Sequence, residues 1–330
     1  PMPHTILVTA PKLGAAGIAK LEAAGCRVLC LTGTKDAAEV AAILASQPVD
    51  AVISRTFELP EAAMRACPTL KVVTKHGVGV SNIDMAGATR LGIPVYVTPG
   101  ANSQSVAELA IGLMLAAARR IAWMDHEVKA GRWSRAQDGQ QLAGRTLGLA
   151  GFGQIGQRTA AIAMAMGMKA VAYDPALAGP SPLAGVDIVP TLDDLLPRAN
   201  VLSLHVPLTD RTRGMIGRAQ LERMPPKAIL VNTARGPVVN EPDLVAALRD
   251  GRLHGAGLDT TMEEPIPAGS PLLALANVVL TPHVGASTPD ALEAVSAIAA
   301  DNVLGFLGGR PPDPAWCFNP EVLASGGRPR

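Results

Sequence analysis

The chain has 330 residues, enough for two domains of ordinary size. Its 29 Lys and Arg against 28 Asp and Glu leave a formal charge of +1, and no basic stripe is present, so bulk attraction to nucleic acid or to an anionic membrane is excluded. Hydrophobic residues at 48% and charged residues at 17% supply a large core and exclude disorder, whereas aromatics at 3% leave the core to Ala, Val, Leu and Ile and exclude stacking platforms for single strands.

The first hundred residues alternate between short apolar runs and helical periods. Strands are expected at 6–10, 27–31, 51–54, 71–74 and 94–97, with helices at 14–25 and 36–46. Pro99-Gly100 breaks the series. A long helix is expected over 105–120, opened by Ser105 and Glu108 at capping-box spacing. Residues 131–145 are polar and glycine-rich and read as a loop around Trp133. The alternation then restarts, with strands at 146–150, 169–173, 200–204, 228–232, 255–258 and 277–280. Helices fall between them at 154–166, 191–197 and 241–250, and a last one at 288–307 precedes a tail rich in Pro and Gly. Short apolar strands between helices mean βαβ units and parallel sheets, here in two halves joined near residue 100.

Several classes are set aside by what the chain lacks. Cys26, Cys30, Cys67 and Cys317 form no CxxC pair and read as free thiols of a reducing compartment. No cationic start leads into an apolar run, and the longest apolar stretch, Leu109 to Ala118, falls short of the roughly 18 residues of a membrane helix. A cytoplasmic protein without membrane, nucleic-acid or metal partners is expected.

Gly151-Phe152-Gly153-Gln154-Ile155-Gly156 fits G-x-G-x-x-G, follows an apolar strand and opens a helix. Gly151 permits the tight turn, Gly153 lets a pyrophosphate approach the backbone, and Gly156 lets helix and strand pack closely. Asp174 ends the next strand at the place of the acidic residue that holds a ribose diol. A carboxylate there repels a 2′-phosphate, so NAD is expected rather than NADP.

Arg235, Glu264 and His283 each follow a predicted strand, and ligands of open parallel sheets bind at the carboxyl ends of strands. Hydride transfer to a 2-oxo acid needs a proton for the emerging alkoxide. A histidine can supply it, a carboxylate can fix its tautomer, and an arginine can hold carbonyl and carboxylate oxygens in a fork. Read alone, Arg235 also suits a surface ion pair, Glu264 a solvated loop with Glu263 as its rival, and His283 a loop histidine. His205, at another strand end, falls near the expected adenosine.

These motifs resemble the NAD-dependent D-isomer-specific 2-hydroxyacid dehydrogenases, the family that includes phosphoglycerate dehydrogenase. The resemblance runs through Lys75-His76-Gly77-Val78-Gly79-Val80, Pro99-Gly100-Ala101-Asn102-Ser103, Ser105-Val106-Ala107-Glu108-Leu109, the glycine loop and His205-Val206-Pro207-Leu208-Thr209. It continues in Asn232-Thr233-Ala234-Arg235-Gly236 and Thr281-Pro282-His283-Val284-Gly285-Ala286-Ser287-Thr288. It implies Arg235, Glu264 and His283 as the catalytic set; the family's spacing from Asp259 selects Glu264 over Glu263. It places Gly151, Gly153, Gln154, Ile155, Gly156, Asp174, His205, Val206, Pro207, Thr212, Thr233, Ala234, Arg235, Asp259, His283 and Gly285 around NAD, with Asp259 toward the nicotinamide carboxamide. Gly77, Val78, Gly79, Asn102 and Arg235 would bind substrate, the glycine turn as an anion nest for its carboxylate. The implied fold is α/β, with a Rossmann dinucleotide-binding domain (101–286) inserted into a flavodoxin-like substrate domain (1–100 and 287–330), in a homodimer built mainly on the nucleotide domain.

The chain departs from the family where Ser81 and Asn240 replace frequent acidic residues and Thr260-Thr261 replaces a more apolar step. It stops short of the regulatory domain of some phosphoglycerate dehydrogenases, so no regulation by serine is expected. Two other functions fit the fold. A formate dehydrogenase-like enzyme would resemble this chain with Gln in place of Glu264, and an NAD-sensing corepressor would carry a peptide groove.

Overall fold

The computed structural model describes residues 3–32, 37–177 and 179–324. Residue 36 of the helix expected over 36–46, and the ends of the chain at 1–2 and 325–330, lie outside them. In chain order the elements begin with β1 (Thr5–Val8), α1 (Ala15–Ala23), β2 (Arg27–Cys30), α2 (Ala37–Ser46), β3 (Ala51–Ser54), α3 (Glu61–Arg65), β4 (Val72–Lys75), α4 (Met85–Arg90) and β5 (Val95–Tyr96). Next come α5 (Ser103–Arg119), α6 (Ile121–Lys129), β6 (Thr146–Ala150), α7 (Gln154–Ala165), β7 (Lys169–Tyr173), β8 (Val186–Ile188), α8 (Leu192–Leu195) and β9 (Val201–Leu204). The chain closes with α9 (Arg218–Arg223), β10 (Ala228–Asn232), α10 (Glu241–Arg249), β11 (Leu253–Leu258), β12 (Val278–Leu280), α11 (Pro289–Leu307) and α12 (Glu321–Ala324).

The chain forms two compact units, residues 1–102 with 288–330 and residues 103–287. The first holds a five-stranded sheet of order β2-β1-β3-β4-β5, every pairing parallel. This is the flavodoxin-like order. β1 and β3 are buried at all four residues because helices cover both faces, so their sequences, apart from Thr5 and Ser54 at their ends, are apolar rather than alternating. On one face Ile6, Val8, Ala51, Ile53, Val72 and Tyr96 pack with Ala299, Ala300 and Val303 of α11. On the other, Leu7, Val52 and Val73 pack with Val40, Leu44 and Met64.

The second unit holds a seven-stranded parallel sheet, β8-β7-β6-β9-β10-β11-β12. Read from β8, this is the dinucleotide-binding order with one strand added, and the order reverses between β6 and β9. Helix α5 buries Ala110, Leu113, Met114 and Ala117 against Leu149, Val201 and Ile229. On the opposite face Leu204, Leu230 and Leu258 pack with Leu221, Leu244 and Leu248 of α9 and α10.

Two local readings need correction. Helix α5 begins at Ser103, two residues before the expected start, so Ser105 is interior and not a cap. The Glu108 carboxylate accepts instead from Gln104 Nε2 at 2.7 Å, one helical turn back. Helix α6 was not foreseen; Arg120, at φ +54°, separates it from α5. The Arg120 guanidinium stacks 4.1 Å over the Trp123 ring and bonds Asp138 at 2.6 Å, which holds this break in place.

Candidate active site

The sequence candidates of the second unit gather after the carboxyl ends of β6, β7, β9, β10, β11 and β12. At the reversal of strand order, Gly151 follows β6 with φ +92°, and a Cβ there would sit 2.5 Å from the His205 carbonyl oxygen after β9. Only glycine lets the two strand ends approach so closely. A Cβ on Gly156 would meet the Gly151 carbonyl oxygen at 2.5 Å, which explains its need as helix-to-strand packing. A Cβ on Gly153 would meet nothing within 4 Å, so a ligand can reach the backbone here. No side chain caps α7 at Gly153, whose first turn includes Gln154 and Ile155. The positive end of the helix dipole and its free N–H groups therefore remain available to phosphate.

Asp174 is fixed at the rim of this cradle. Its Oδ2 accepts from the Phe152 amide at 2.8 Å and its Oδ1 from the Ala176 amide at 2.9 Å. After β9, the His205 ring bonds Ser203 Oγ through Nε2 at 2.9 Å, and its buried Nδ1 has no partner among the described residues. Burial holds this imidazole neutral, pushing it down to about 4. Val206 is buried, and the Thr212 hydroxyl donates to the Pro207 carbonyl at 2.6 Å, folding the loop that follows. After β10, Thr233 Oγ1 is likewise buried without a partner among the described residues, beside buried Ala234. An open glycine cradle, an uncapped helix, a placed carboxylate and orphaned polar atoms at adjacent strand ends fit a dinucleotide.

The chemical residues occupy the next three strand ends. Asn232 closes β10 and folds the turn: its amide oxygen accepts from the Ala234 N–H at 3.0 Å and its Nδ2 donates to the Arg235 carbonyl at 3.0 Å. The Arg235 guanidinium spends one N–H on the Ala234 carbonyl, at 2.6 Å, and pairs with no carboxylate among the described residues. A half-buried fork without its own anion suits an anionic ligand better than a surface ion pair. After β11, Glu264 Oε1 accepts from the Thr261 N–H at 3.2 Å and Oε2 meets His283 Nδ1 at 2.7 Å. Glu263 takes no part in this pair. The carboxylate thus places the proton of His283 on Nδ1, leaving Nε2 for exchange with a ligand.

His283 has φ +54°, a strained conformation for a side chain of this size. Asp259, only 2% exposed, enforces it. Its carboxylate accepts from Thr281 Oγ1 at 2.6 Å, the Val284 amide at 2.9 Å and the Gly285 amide at 2.9 Å, while its carbonyl accepts from the His283 amide at 2.9 Å. Asn240, where the family often has an acid, caps α10 by accepting from the Asp243 amide at 3.1 Å, so this departure preserves the local role.

In the first unit, β4 leads into Gly77-Val78-Gly79. Gly77 has φ +131°, and its N–H is already donated to Thr98 Oγ1 at 2.9 Å. The expected anion nest is therefore reduced to the Val78 and Gly79 amides, which bond no acceptor among the described residues. His76 Nε2 meets Ser296 Oγ of α11 at 2.9 Å; burial, then the charges of Arg55 and Lys75, push this imidazole down to about 4. Asn102 immediately precedes α5. Among the described residues no group of His, Cys, Asp and Glu suits a metal ion, and no helix is long and apolar enough to cross a membrane. The roles of Asn232 and the Thr261 amide were not foreseen, since neither an amide side chain ending a strand nor a backbone N–H carries a distinctive sequence signal.

Residues 111–285 match the family described as D-isomer specific 2-hydroxyacid dehydrogenase, NAD binding domain. A D-3-phosphoglycerate dehydrogenase of Methanocaldococcus jannaschii is 46% identical over 244 residues, covering 73% of this chain and 46% of its own length. The chain thus spans about half of that relative. A hydroxypyruvate reductase of Thermotoga maritima is 43% identical, covering 79% of this chain and 85% of its own. A solved protein of Thermus thermophilus superposes with a TM-score of 0.84 at 37% identity, covering 93% of this chain and 98% of its own. The chain belongs to the D-isomer specific 2-hydroxyacid dehydrogenases, NAD-dependent oxidoreductases, and its second unit carries the family's NAD-binding domain.

Proposed function

We propose that the protein interconverts a D-2-hydroxy acid and its 2-oxo acid, with Arg235, Glu264 and His283 as its catalytic residues. Bound NADH would supply the hydride. His283, as the imidazolium, donates the proton from Nε2 to the forming alkoxide and becomes neutral, and Glu264 stabilises the imidazolium beforehand and fixes the ring. Arg235 binds the substrate oxygens through its free N–H groups. The Val78 and Gly79 amides, with Asn102, take up the substrate carboxylate. The observation that carries this reading is the 2.7 Å pair of His283 Nδ1 with Glu264 Oε2. The same pair favours a proton relay over formate oxidation, which requires none.

The NAD contacts are Gly151, Gly153, Gln154, Ile155, Gly156, Asp174, His205, Val206, Pro207, Thr212, Thr233, Ala234, Arg235, Asp259, His283 and Gly285. Four free cysteines suit a reducing, cytoplasmic setting. The unit that carries these contacts also exposes Ile121, Val128 and Trp133, which supports a homodimer built on it.

Turnover with glyoxylate, hydroxypyruvate, pyruvate and phosphohydroxypyruvate tests the activity and ranks the substrates. Reduction of none of them with NADH would leave a corepressor-type binding protein. His283→Gln should lower kcat at least ~10²-fold while leaving NADH affinity nearly unchanged. A near-normal kcat would mean that the proton comes from elsewhere.

A further inference from the structure

Glu264 and His283 must hold a fixed geometry, yet Glu264 stands on a loop, Thr260 to Pro265, between β11 and the next turn. Loops hold such a geometry less well than strands or helices, so something must brace this one. Its fixed point is Thr261, through the two peptide units that flank it. On one side, the Thr261 N–H donates to Glu264 Oε1 at 3.2 Å. On the second, the Thr261 carbonyl lies flat on Gly236, the residue after Arg235. A Cβ on Gly236 would overlap that carbonyl outright and stand 2.7 Å from the Met262 nitrogen. On the third, the Met262 N–H donates to Glu241 Oε2 at 3.1 Å, across 21 residues of sequence.

Glu241 opens α10, where an acidic side chain ordinarily serves the helix itself. Here Asn240 already performs the cap through the Asp243 amide, which frees Glu241 to reach out to the loop. Gly236 is buried and belongs to the same segment as Arg235. The Thr261–Met262 peptide unit therefore touches the arginine segment and the helix start, while the Thr261 N–H, in the peptide unit just before it, orients the carboxylate of the relay.

We infer that Glu241 and Gly236 are positioning residues of the proton relay, holding the Thr261–Met262 peptide so that Glu264 faces His283. The inference rests on the relay proposed above. Neither residue touches the reacting atoms; both act through the loop backbone. Removing the Glu241 carboxylate frees the peptide to turn, and Glu264 then spends part of its time away from the imidazole. His283 then behaves as it would with a neutral partner. Gly236→Ala forces the peptide away and does the same more severely.

Four variants of the full-length protein decide the matter, each followed through the pH profile of 2-oxo acid reduction, kcat, NADH affinity and thermal midpoint. Glu264→Gln sets the reference, the displacement of the profile that loss of the carboxylate produces. Glu241→Ala should move the profile in the same direction and lower kcat about fivefold, the factor one exposed hydrogen bond represents, with NADH affinity unchanged. Glu241→Gln keeps an oxygen acceptor for Met262 and should restore both, although it loses the charge at the helix start. Gly236→Ala should shift the profile at least as far. A wild-type profile in Glu241→Ala beside a shifted one in Glu264→Gln overturns the inference and leaves the relay standing. Equal loss of thermal midpoint in both Glu241 variants with no change of profile shows a helix-start role only, and also overturns it. An unshifted profile in Glu264→Gln removes the relay itself, and the inference with it.

Discussion

The Asp174 carboxylate is held by two backbone amides, one of them from the glycine loop, so it is fixed before any ligand arrives. At the ribose position proposed for it, a fixed negative charge costs a 2′-phosphate more than a mobile one, which could swing away. Asp174→Asn should therefore narrow the preference for NADH over NADPH, read as the ratio of the two kcat/KM values; equal values in the wild type would remove Asp174 from this role. His205 gives the protein a pH response of its own. Its imidazole ordinarily titrates near about 6.5 but in the fold only at about 4, because it is buried. Between those values the unfolded chain binds a proton that the folded chain refuses. Stability should thus be full above about pH 6.5 and should fall as pH drops toward about 4, with no further loss from this group below it. Thermal midpoints measured across that window should show the fall, and His205→Gln should flatten part of it, His76 supplying a second part through its own burial. The residues proposed to do chemistry were legible through the family resemblance, since read alone Arg235 also suits a surface ion pair, Glu264 a solvated loop and His283 a loop histidine. The groups that aim them were not legible. The Thr261 amide is a backbone atom, and Ser296, which meets His76, lies 220 residues away.

Among the elements, the turn after β12 shows how a strand end is made into a site. Four hydrogen bonds to Asp259 gather Thr281, His283, Val284 and Gly285, and this clamp helps hold the strained backbone of His283. Asp259→Asn replaces one acceptor oxygen by an N–H₂ that faces amide donors, at a cost of about 1–3 kcal/mol. The loss should appear as a lower urea midpoint and a kcat reduced well beyond what weaker cofactor binding explains; unchanged kcat at saturating NADH would show that the turn holds its shape without the clamp. Long elements were read correctly from sequence because a buried parallel strand is continuously apolar and a covering helix shows its period. Short ones were missed for physical reasons. The edge strand β8 has three residues, one of them exposed, and α3 has five, too few for a period to register. Helix α6 was hidden because Arg120 breaks the helical path through a left-handed conformation that its residue type does not advertise.

At the scale of the whole molecule, the two sheet orders follow from the βαβ alternation only as a class. The sequence shows that strands are parallel, whereas their lateral order depends on which face each crossover helix takes, and here the resemblance to a family supplied what periodicity could not. Oligomeric state belongs to this scale too. Trp133 is 80% exposed, Val128 55% and Ile121 54%, an expensive display of apolar surface within a stretch of thirteen residues unless another subunit covers it. Sedimentation should find a dimer, and Val128→Glu with Trp133→Ser should shift it toward monomer; a wild-type monomer at micromolar concentration would show that the patch has another use.

The return of α11 to the first sheet sets an order of events at the ribosome. Residues 1–102 emerge with one face of β1, β3 and β4 incompletely covered, because Ala299, Ala300 and Val303, which complete that cover, are made late. All of residues 103–287 must be synthesised in between, roughly ten to forty seconds at ordinary elongation rates. Throughout that interval the inserted unit can complete itself while the earlier one waits. The burden on chaperones therefore falls on the start of the chain, and a ribosome stalled before residue 289 would hold a finished nucleotide-binding unit beside an unfinished partner.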